Sequence, residues 1–385
     1  MAFHPGQLPI YTLLNPVWIY SITKHFPRSI PKLIDYNGRM AGAIAVNARS
    51  IHAPQSGVGR YTREITRRLG ERVRLLSTVR TAQGFRGHHW EQLILPLKLK
   101  SGEVLWSPAN SGPITVSRQV VTLHDISPLD QPAGFTYSFR TWYRILLPLL
   151  VRRAKLLITD SEFSRNRIIR RLGVAPGKVE VVPCGVDHDH FYPRSDGEIT
   201  AVREKYGLPT GYLLTVGALE RRKNYERLFH AWERVFPYAE DNTLLVLGSS
   251  ARPFRHLAFD HLPGRVQFIP SVEERDLPPL YSGALALVFP SLYEGFGLPA
   301  LEAMACGTPV IVSNAGALPE VVSNAGRLVE PESVEDITQA IIRVITEAEL
   351  REEYSLRGLS RSRDFSWELT AARILSVLES AGSES

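Results

Sequence analysis

The sequence predicts an α/β protein with two doubly wound parallel-sheet domains in series. Three observations predict this class. Short apolar runs of strand length alternate with amphipathic stretches of helix length in both halves of the chain. One segment rich in proline, glycine and polar residues, 183–198, interrupts the alternation. The length of 385 residues exceeds one ordinary core and suits two domains of just under about 200 residues each.

The first half supplies six predicted strands, each a short run rich in Val, Ile and Leu. They are AIAVN (43–47), VRLLS (73–77), VLWS (104–107), QVVTLH (119–124), KLLIT (155–159) and KVEVV (178–182). Helices are predicted between several of these strands, at 58–69, 136–153 and 161–172. Alternation of this kind places helices on both faces of a parallel sheet.

The alternation restarts after 183–198, which we interpret as the domain linker. The second set of predicted strands is YLLTV (212–216), TLLVLG (243–248), VQFIP (266–270), ALALVFP (284–290), PVIV (309–312) and GRLVE (326–330). The predicted helices are 223–235, 299–305, 333–346, 349–360 and 366–381. We therefore assign 40–190 to an N-terminal domain and 191–365 to a C-terminal domain. Ligands of such sheets bind beyond the carboxyl ends of the strands, here in the cleft between the domains.

Residues 1–39 do not follow this pattern. The segment is rich in aromatic residues and proline, has no clean period, and precedes Met40 and the first strand. Two interpretations stay open. Either translation starts at Met40, or the segment is an interfacial leader whose Trp and Tyr side chains lie at a membrane surface.

Composition limits the compartment and the partners. Cys184 and Cys306 lie far apart without metal-ligand spacing, which predicts a reducing, cytoplasmic compartment. Neither a signal-peptide pattern nor an apolar run of the roughly 18 residues that span a membrane is present. Residues 1–200 carry 27 Lys and Arg against 14 Asp and Glu, whereas residues 201–385 carry 18 against 25. The basic half predicts an anionic partner; we expect a membrane surface rather than nucleic acid, because no nucleic-acid-binding motif is visible.

The stretch SLYEGFGLPALEAMACGTPVI, 291–311, carries the strongest chemical signal. A predicted strand leads into EGFG (294–297), and Pro299 suits the first turn of a helix. Glycines let the backbone approach a ligand, and the N–H groups of a helix start attract phosphate. Glu294 and Glu302 would repel phosphate, but carboxylates accept hydrogen bonds from vicinal hydroxyls. The pattern therefore predicts two sugars on either side of a diphosphate, as in a nucleotide sugar.

This stretch resembles the E-x7-E signature of retaining glycosyltransferase family 4, whose members have the GT-B fold of two facing Rossmann-like domains. The resemblance extends from about residue 42 to about residue 380. Its other motifs are SGVGRYTREIT (56–66), VTLHDISPL (121–129), ITDSEFSRNRI (158–168), VVPCGVD (181–187), LLTVGALERRKNYERL (213–228) and SNAGALPEVV (313–322). It implies a glycosyltransferase whose last helix, 366–381, crosses back to the first domain.

The resemblance implies three catalytic residues, His124, Lys223 and Glu294. The histidine would contact the donor sugar, and its backbone would face the transferred group. Lys223 matches the lysine that neutralises the departing diphosphate in the family, where a fixed cation lowers the barrier more than it aids binding. Ala218 stands where many members have arginine, and Arg222 is the candidate to supply that charge.

Acceptor binding is expected at Asp125 and Arg60. Asp125 would either orient His124 or shape the acceptor site. The expected donor-binding residues are Gly57, Gly59, Gly217, Arg222, Lys223, Val272, Glu294, Gly295, Phe296, Gly297, Leu298 and Glu302.

No metal ion or other cofactor is expected. Asp187, His188, Asp189 and His190 resemble a cluster of metal ligands, but they lie in the predicted linker. The chemistry implied by the family resemblance needs no divalent ion.

The expected reaction is transfer of a hexose with retention, by front-face attack in which the departing phosphate accepts the acceptor's proton. The GALERRKNYERL segment resembles mannosyltransferases of exopolysaccharide and O-antigen assembly, so GDP-mannose is the first candidate donor and UDP-glucose the second. The expected acceptor is a polyprenyl-diphosphate-linked saccharide or a soluble saccharide. The alternatives are a nucleotide-sugar epimerase, a glycogen-synthase-like polymerase and a non-catalytic anion-binding protein.

The segment FRTWYRILLPLLVRRAK, 139–155, has two interpretations. It is either a core-packed helix broken near Pro148 or a helix on the inner membrane surface, where flanking arginines would contact anionic lipid.

Overall fold

A computed structural model describes residues 44–52, 57–77, 85–239, 241–248 and 263–383 of the chain. The predicted leader, 1–39, lies outside these ranges, as do Met40 and Ser56. The described residues form two six-stranded sheets in which every strand pair is parallel. This confirms the predicted fold class.

The first sheet has the strand order β2-β1-β3-β4-β5-β6. Its strands are β1 Ile44–Asn47, β2 Val73–Leu76, β3 Val104–Ser107, β4 Gln119–Thr122, β5 Leu156–Thr159 and β6 Val179–Val181. The three strands β1, β3 and β4 are buried along their whole length. Burial on both faces explains why they read as continuous apolar runs rather than as alternating patterns.

The second sheet has the strand order β12-β11-β10-β7-β8-β9. Its strands are β7 Gly211–Val216, β8 Asn242–Leu247, β9 Val266–Ile269, β10 Ala286–Phe289, β11 Val310–Ser313 and β12 Arg327–Val329. The chain order reverses between β7 and β10, which pair directly. A reversal of this kind opens a crevice at the carboxyl ends of the two strands, where ligands of doubly wound sheets bind.

All twelve predicted strands occur, and each end lies within two residues of the predicted one. The helices are α1 Gly57–Leu69, α2 Phe85–His89, α3 Ser127–Asp130, α4 Tyr137–Arg153, α5 Glu162–Leu172, α6 Asp196–Tyr206, α7 Tyr225–Val235, α8 Leu277–Ser282, α9 Leu298–Ala305, α10 Leu318–Val322, α11 Val334–Thr346, α12 Ala348–Ser362 and α13 Trp367–Ser383. The sequence pattern does not predict α2, α3, α6, α8 and α10.

Helix α6 corrects the end of the predicted linker. Ser195 accepts a hydrogen bond from the Glu198 N–H, and the Glu198 carboxylate accepts one from the Ser195 N–H. This capping box satisfies two backbone donors at the helix start. Residues 196–198, which we predicted as linker, therefore belong to the helix.

Helix α4 runs without interruption through Pro148, so the predicted break at that residue is wrong. One face packs on the first sheet through Tyr143, Leu147 and Leu150. The opposite face exposes Ile145, at 57%, beside arginines of the same helix. Within the described ranges, no helix is long and apolar enough to cross a membrane.

The chain passes between the two sheets twice, once after β6 and once after α12. Helix α13 then packs against α1 and β3 of the first sheet. The two crossings touch, because Val186 and Ser366 form a parallel bridge. A Cβ on Gly185 would lie 2.2 Å from the Trp367 backbone nitrogen, so only glycine permits this approach.

Candidate active site

The carboxyl ends of the two sheets meet at the loop between β10 and α9. Ser161, at the end of β5, donates a hydrogen bond of 2.7 Å to the Gly295 carbonyl oxygen. A Cβ on Gly295 would lie 2.4 Å from the carbonyl oxygen of His124. Only a glycine therefore lets the second domain's loop approach the backbone after β4 this closely.

Glu294 lies at the centre of a buried cluster of charges. The Lys223 ammonium lies 2.6 Å from one carboxylate oxygen, and the Arg222 guanidinium lies 3.0 Å from the other. Glu294 and Lys223 are 7% and 8% exposed, which excludes a solvated surface pair. Buried charges persist when they are paired in this way.

The backbone around the two cations explains their positions. Arg221–Lys223 form a single 3₁₀ turn, and Asn224 follows in the left-handed region with φ of 63°. The Asn224 amide donates to the carbonyls of Pro290 and Pro331, at 3.0 and 2.7 Å. The turn is therefore bonded to the ends of β10 and β12, beside the Glu294 loop.

The structure also explains the glycine that opens this motif. Gly217 has φ of 150°, and a Cβ there would lie 2.9 Å from the Lys223 Cε atom. Arg222 lies inside the cluster, where it donates to the Tyr293 carbonyl at 3.0 Å and pairs with Glu220 at 2.8 Å. Arg222 is thus the second cation of the cluster. This chain has Ala218 directly after the glycine, where many members of the family have arginine.

Protonation follows from the balance of burial and charge. Burial opposes ionisation of Glu294, but Lys223 and Arg222 outweigh it and lower the Glu294 pKa. Burial, assisted by the neighbouring Arg222, lowers the pKa of Lys223 against the attraction of Glu294. Glu294 is therefore an anion that accepts hydrogen bonds at neutral pH.

Glu302 has a different environment. It is 5% exposed, it pairs closely with Arg60 of α1, and it accepts a hydrogen bond of 3.0 Å from Tyr281. Burial raises the pKa of Glu302 in spite of Arg60. Arg60 also lies 3.5 Å from Glu274, so this guanidinium contacts two carboxylates of the second domain.

His124 is held through both ring nitrogens. Nδ1 lies 2.6 Å from a carboxylate oxygen of Asp160, and Nε2 lies 3.0 Å from the Pro108 carbonyl oxygen. A carbonyl oxygen and an ionised carboxylate both accept hydrogen bonds, so this pair of contacts favours the protonated ring. Burial lowers the His124 pKa, but Asp160 and the Pro108 carbonyl outweigh it and raise the pKa overall.

Asp125 does not orient His124 in this structure. Its carboxylate accepts a hydrogen bond of 2.8 Å from the Ser127 N–H at the start of α3. The orienting carboxylate is Asp160, from the neighbouring strand end. A Cβ on Gly295 would lie 2.9 Å from the Asp125 Cβ atom, so Asp125 lies beside the Glu294 loop.

The remaining predicted donor-binding residues lie at the start of α1, after β9 and before or at the start of α9. Gly57 and Gly59 are in the first turn of α1, and a Cβ on Gly57 would lie 3.5 Å from Leu298. Gly297 has φ of 112° and precedes α9, where Phe296 is buried. Val272 follows β9 and is partly buried against the main core.

Three further contacts join the domains beside the site. The Glu320 carboxylate accepts hydrogen bonds from the N–H groups of Glu162 and Phe163, at 2.8 and 2.7 Å. It thereby caps α5 from the opposite domain. Tyr293 donates to Asp130 at 3.1 Å.

The two histidines of the predicted linker contact backbone carbonyl oxygens. His188 and His190 lie 3.2 Å from the carbonyl oxygens of Phe365 and Glu274, respectively. Across the part of the chain that the structure describes, no three or more His, Cys, Asp or Glu side chains converge as metal ligands would. Cys184 and Cys306 are both buried and free.

Asp160, Tyr281 and Glu320 are the site residues that sequence reasoning missed. Asp160 directly follows the predicted strand KLLIT, and His124 ends the adjacent predicted strand QVVTLH. The adjacency of these strand ends is the signal that could have found Asp160. Glu320 lies within the SNAGALPEVV motif but carried no assigned role. For Tyr281, the sequence holds no comparable signal.

Two parallel-sheet domains whose strand ends enclose a buried carboxylate and two cations define a two-domain enzyme of the GT-B class. Residues 199–360 match the family model "Glycosyl transferases group 1", and residues 103–190 match "Glycosyltransferase Family 4". The O-antigen chain mannosyltransferase B of Escherichia coli is 31% identical over 263 residues, which cover 66% of this chain and 68% of that protein. The chain belongs to the group 1 glycosyltransferases, family 4, and is a glycosyltransferase.

Two further comparisons define how far the likeness extends. The serotype-specific mannosyltransferase WbdA of E. coli is 30% identical over 264 residues, which are 66% of this chain but 32% of that protein. The chain thus spans about a third of WbdA. The crystal structure of Anabaena Alr3699/HepE with UDP and glucose has a TM-score of 0.69 at 19% identity, covering 88% of this chain and 99% of that one. This likeness confirms the GT-B fold.

Proposed function

We propose that this glycosyltransferase moves a hexose from a nucleotide sugar to a saccharide acceptor, with retention and without a divalent ion, during cell-surface polysaccharide synthesis. GDP-mannose is the first candidate donor, because two relatives that match two thirds of the chain are named as O-antigen chain and serotype-specific mannosyltransferases. UDP-glucose is the second candidate, because the similarly folded HepE binds UDP and glucose.

The buried cluster of Glu294, Lys223 and Arg222 carries this proposal. When the bond from the sugar to the diphosphate breaks, negative charge grows on the phosphate oxygen. Two fixed cations in a site of low dielectric stabilise that charge more than they stabilise the bound donor. They supply the charge that a metal ion supplies in other transferases. Glu294 is left to accept hydrogen bonds from the sugar hydroxyls.

The state of His124 supports the front-face route. Because both ring nitrogens are engaged, one with Asp160 and the other with the Pro108 carbonyl, the imidazole is not placed to take the acceptor's proton. The bond from the sugar to the phosphate oxygen breaks as the bond to the acceptor oxygen forms. The acceptor's proton passes to the departing phosphate oxygen.

A donor panel tests the proposal. The full chain is incubated with GDP-mannose, UDP-glucose and other labelled nucleotide sugars, each with a polyprenyl-diphosphate-linked saccharide and with a free saccharide. We expect transfer from one donor, an unchanged anomeric configuration by NMR, and full activity in excess EDTA. No transfer, an inverted product or loss with EDTA would each remove the corresponding part of the proposal. Conversion of the donor without an acceptor would indicate an epimerase.

We also propose that the enzyme binds the inner face of the plasma membrane through α4. The exposed face of this helix carries Tyr137, Ile145 and Leu149, at 69%, 57% and 43% exposure, beside basic residues such as Arg144 and Arg152. Each basic side chain near an anionic leaflet adds about 1 kcal/mol, and this attraction falls with salt. A membrane acceptor such as a polyprenyl-diphosphate-linked saccharide would then lie within reach.

Co-sedimentation with anionic phospholipid vesicles tests this surface. Ile145→Ser should reduce binding several-fold at low salt, and high salt should release the wild type. Leu356→Ser is the matched control, since Leu356 is 62% exposed on α12 of the other domain. Equal binding of both variants, or binding that salt does not change, would contradict the assignment to α4.

A further inference from the structure

A cavity of about 580 Å³ opens between the domains beside the cation cluster. We propose that it binds the neutral saccharide part of the acceptor, and not an acceptor phosphate. This inference rests on the proposed function, because it names where the acceptor of that reaction binds. The volume lies within the range of about 300–1,000 Å³ that ligand pockets occupy.

The position of the cavity connects it with the reaction centre. Residues 131 and 133–135 of the first domain line one side, between α3 and α4, and the first two turns of α7 line the other. Arg222 and Leu292 also line it. Since the Arg222 guanidinium also contacts Glu294 at 3.0 Å, a hydroxyl bound at Arg222 would lie close to the proposed sugar-binding carboxylate.

Hydrogen bonds hold the second-domain side of the cavity in place. Arg227 donates to the Asn224 side-chain oxygen at 3.0 Å, and Asn224 is itself bonded to two backbone carbonyls. Tyr225 donates to the Gly217 carbonyl at 2.9 Å. Polar groups that are already fixed lose little further freedom when a ligand binds, which favours affinity.

The charges of the lining select the class of ligand. Three arginines and three glutamates line the cavity, so the lining carries both signs in equal number. Arg222 is paired with Glu220 at 2.8 Å, and the exposed Glu226 and Glu332 balance the other arginines. A diphosphate would need an excess of cations.

A sugar chain needs a different set of partners, namely donors and acceptors together, because each hydroxyl both gives and receives hydrogen bonds. The cavity provides them, and it adds the rings of Phe135 and Tyr225. The lipid diphosphate of a membrane acceptor would therefore remain outside, towards the basic first domain, while the saccharide end enters.

Two substitutions that fill the cavity from opposite sides test the inference. His230→Trp acts from α7 and Ala133→Trp acts from the first domain; both native residues are exposed. Arg234→Trp is the matched control, because Arg234 lies on the same helix at 57% side-chain exposure and pairs with Glu335 away from the cavity. Thermal melts of all three variants check that each is folded.

Binding of free mannotriose is measured by saturation-transfer NMR, and binding of the nucleotide sugar by calorimetry. We expect His230→Trp and Ala133→Trp to weaken mannotriose binding at least about tenfold and to raise the acceptor KM equally, with the donor Kd unchanged. Arg234→Trp should behave as wild type. Between about 0.05 and about 0.5 M salt, mannotriose binding should stay constant, because a neutral ligand is not screened.

Several outcomes separate this inference from the proposed function. Normal saccharide binding by both cavity variants would overturn it. A wild type that binds neither mannotriose nor the acceptor that the donor panel identifies would also overturn this inference. A mannotriose Kd that rises steeply with salt would contradict the binding of a neutral ligand and would also overturn it. A wild type that binds mannotriose in the cavity but transfers no sugar would refute the proposed function and leave this inference standing.

Discussion

Replacing Lys223 by methionine tests whether its buried ammonium acts on the leaving group. Methionine keeps much of the stem that packs on Gly217, and it removes only the charge that lies 2.6 Å from Glu294. Loss of one fixed stabiliser of transition-state charge costs about 100- to 1,000-fold in kcat, or about 2.7–4 kcal/mol. Since Arg222 remains 3.0 Å from the same carboxylate, we expect the lower end, a kcat loss of about 100-fold.

The same structure sets the expected effect on stability. Removing one partner of a buried ion pair costs about 3–5 kcal/mol when the other is left alone. Glu294 keeps Arg222, so we expect Lys223→Met to fold and to lose less than this range, as measured by urea denaturation. Initial rates with the donor identified by the panel are measured on the same samples.

The control for this variant is Lys205→Met. Lys205 also lies between two carboxylates, Glu273 and Asp276, but at 39% side-chain exposure and away from the cluster. It should leave kcat unchanged. A folded Lys223→Met enzyme with a near-normal kcat would refute the role assigned to Lys223.

Three further predictions concern pH, closure and backbone approach. Because Asp160 raises the His124 pKa, their pairing stabilises the fold fully below about pH 6.5 and loses this effect as pH rises through the folded pKa. Urea denaturation should therefore show that Asp160→Asn is less stable than the wild type at low pH, and that the difference shrinks as pH rises. A difference that stays constant with pH would contradict this. Glu320→Ala should remove a helix cap worth about 1 kcal/mol, and the radius of gyration measured by X-ray scattering should increase. An unchanged scattering curve and melting point would show that the contact is not needed for closure. Gly295→Ala should lower kcat/KM by at least about tenfold, because its methyl group would meet the His124 carbonyl oxygen. Gly177→Ala is the control and should keep the wild-type kcat/KM, because Gly177 has open space around it. Equal kcat/KM values for the two variants would refute the close approach.

Most of the fold could be predicted because buried parallel strands are easy to recognise in the sequence. Each strand is a short apolar run, and the long helices between strands carry a clear period. Four of the helices that the pattern does not predict have six residues or fewer, too short for a period to show. Helix α6 is long enough, and its capping box at Ser195 and Glu198 is a signal that sequence reasoning overlooked.

The sequence indicates those parts of the candidate site that lie within one local motif. Glu294 and Glu302 stand eight residues apart in such a motif, whereas the family resemblance implies the role of Lys223, with Arg222 beside it. The partners of these residues come from distant segments: Arg60 reaches Glu302 across 242 positions, and Asp160 reaches His124 across 36. Such pairs become visible only when strand order and register are known.

The double passage of the chain between the sheets determines how the enzyme can open. A single connecting segment would let the two halves swivel and twist about it in any direction. Here the strands of backbone at Val186 and Ser366 are bonded side by side, and Gly185 lies directly against Trp367. Two parallel tethers resist torsion and permit bending about one axis. The two domains would therefore open and close by a hinge motion about one axis, and the same two faces would meet again after every catalytic cycle.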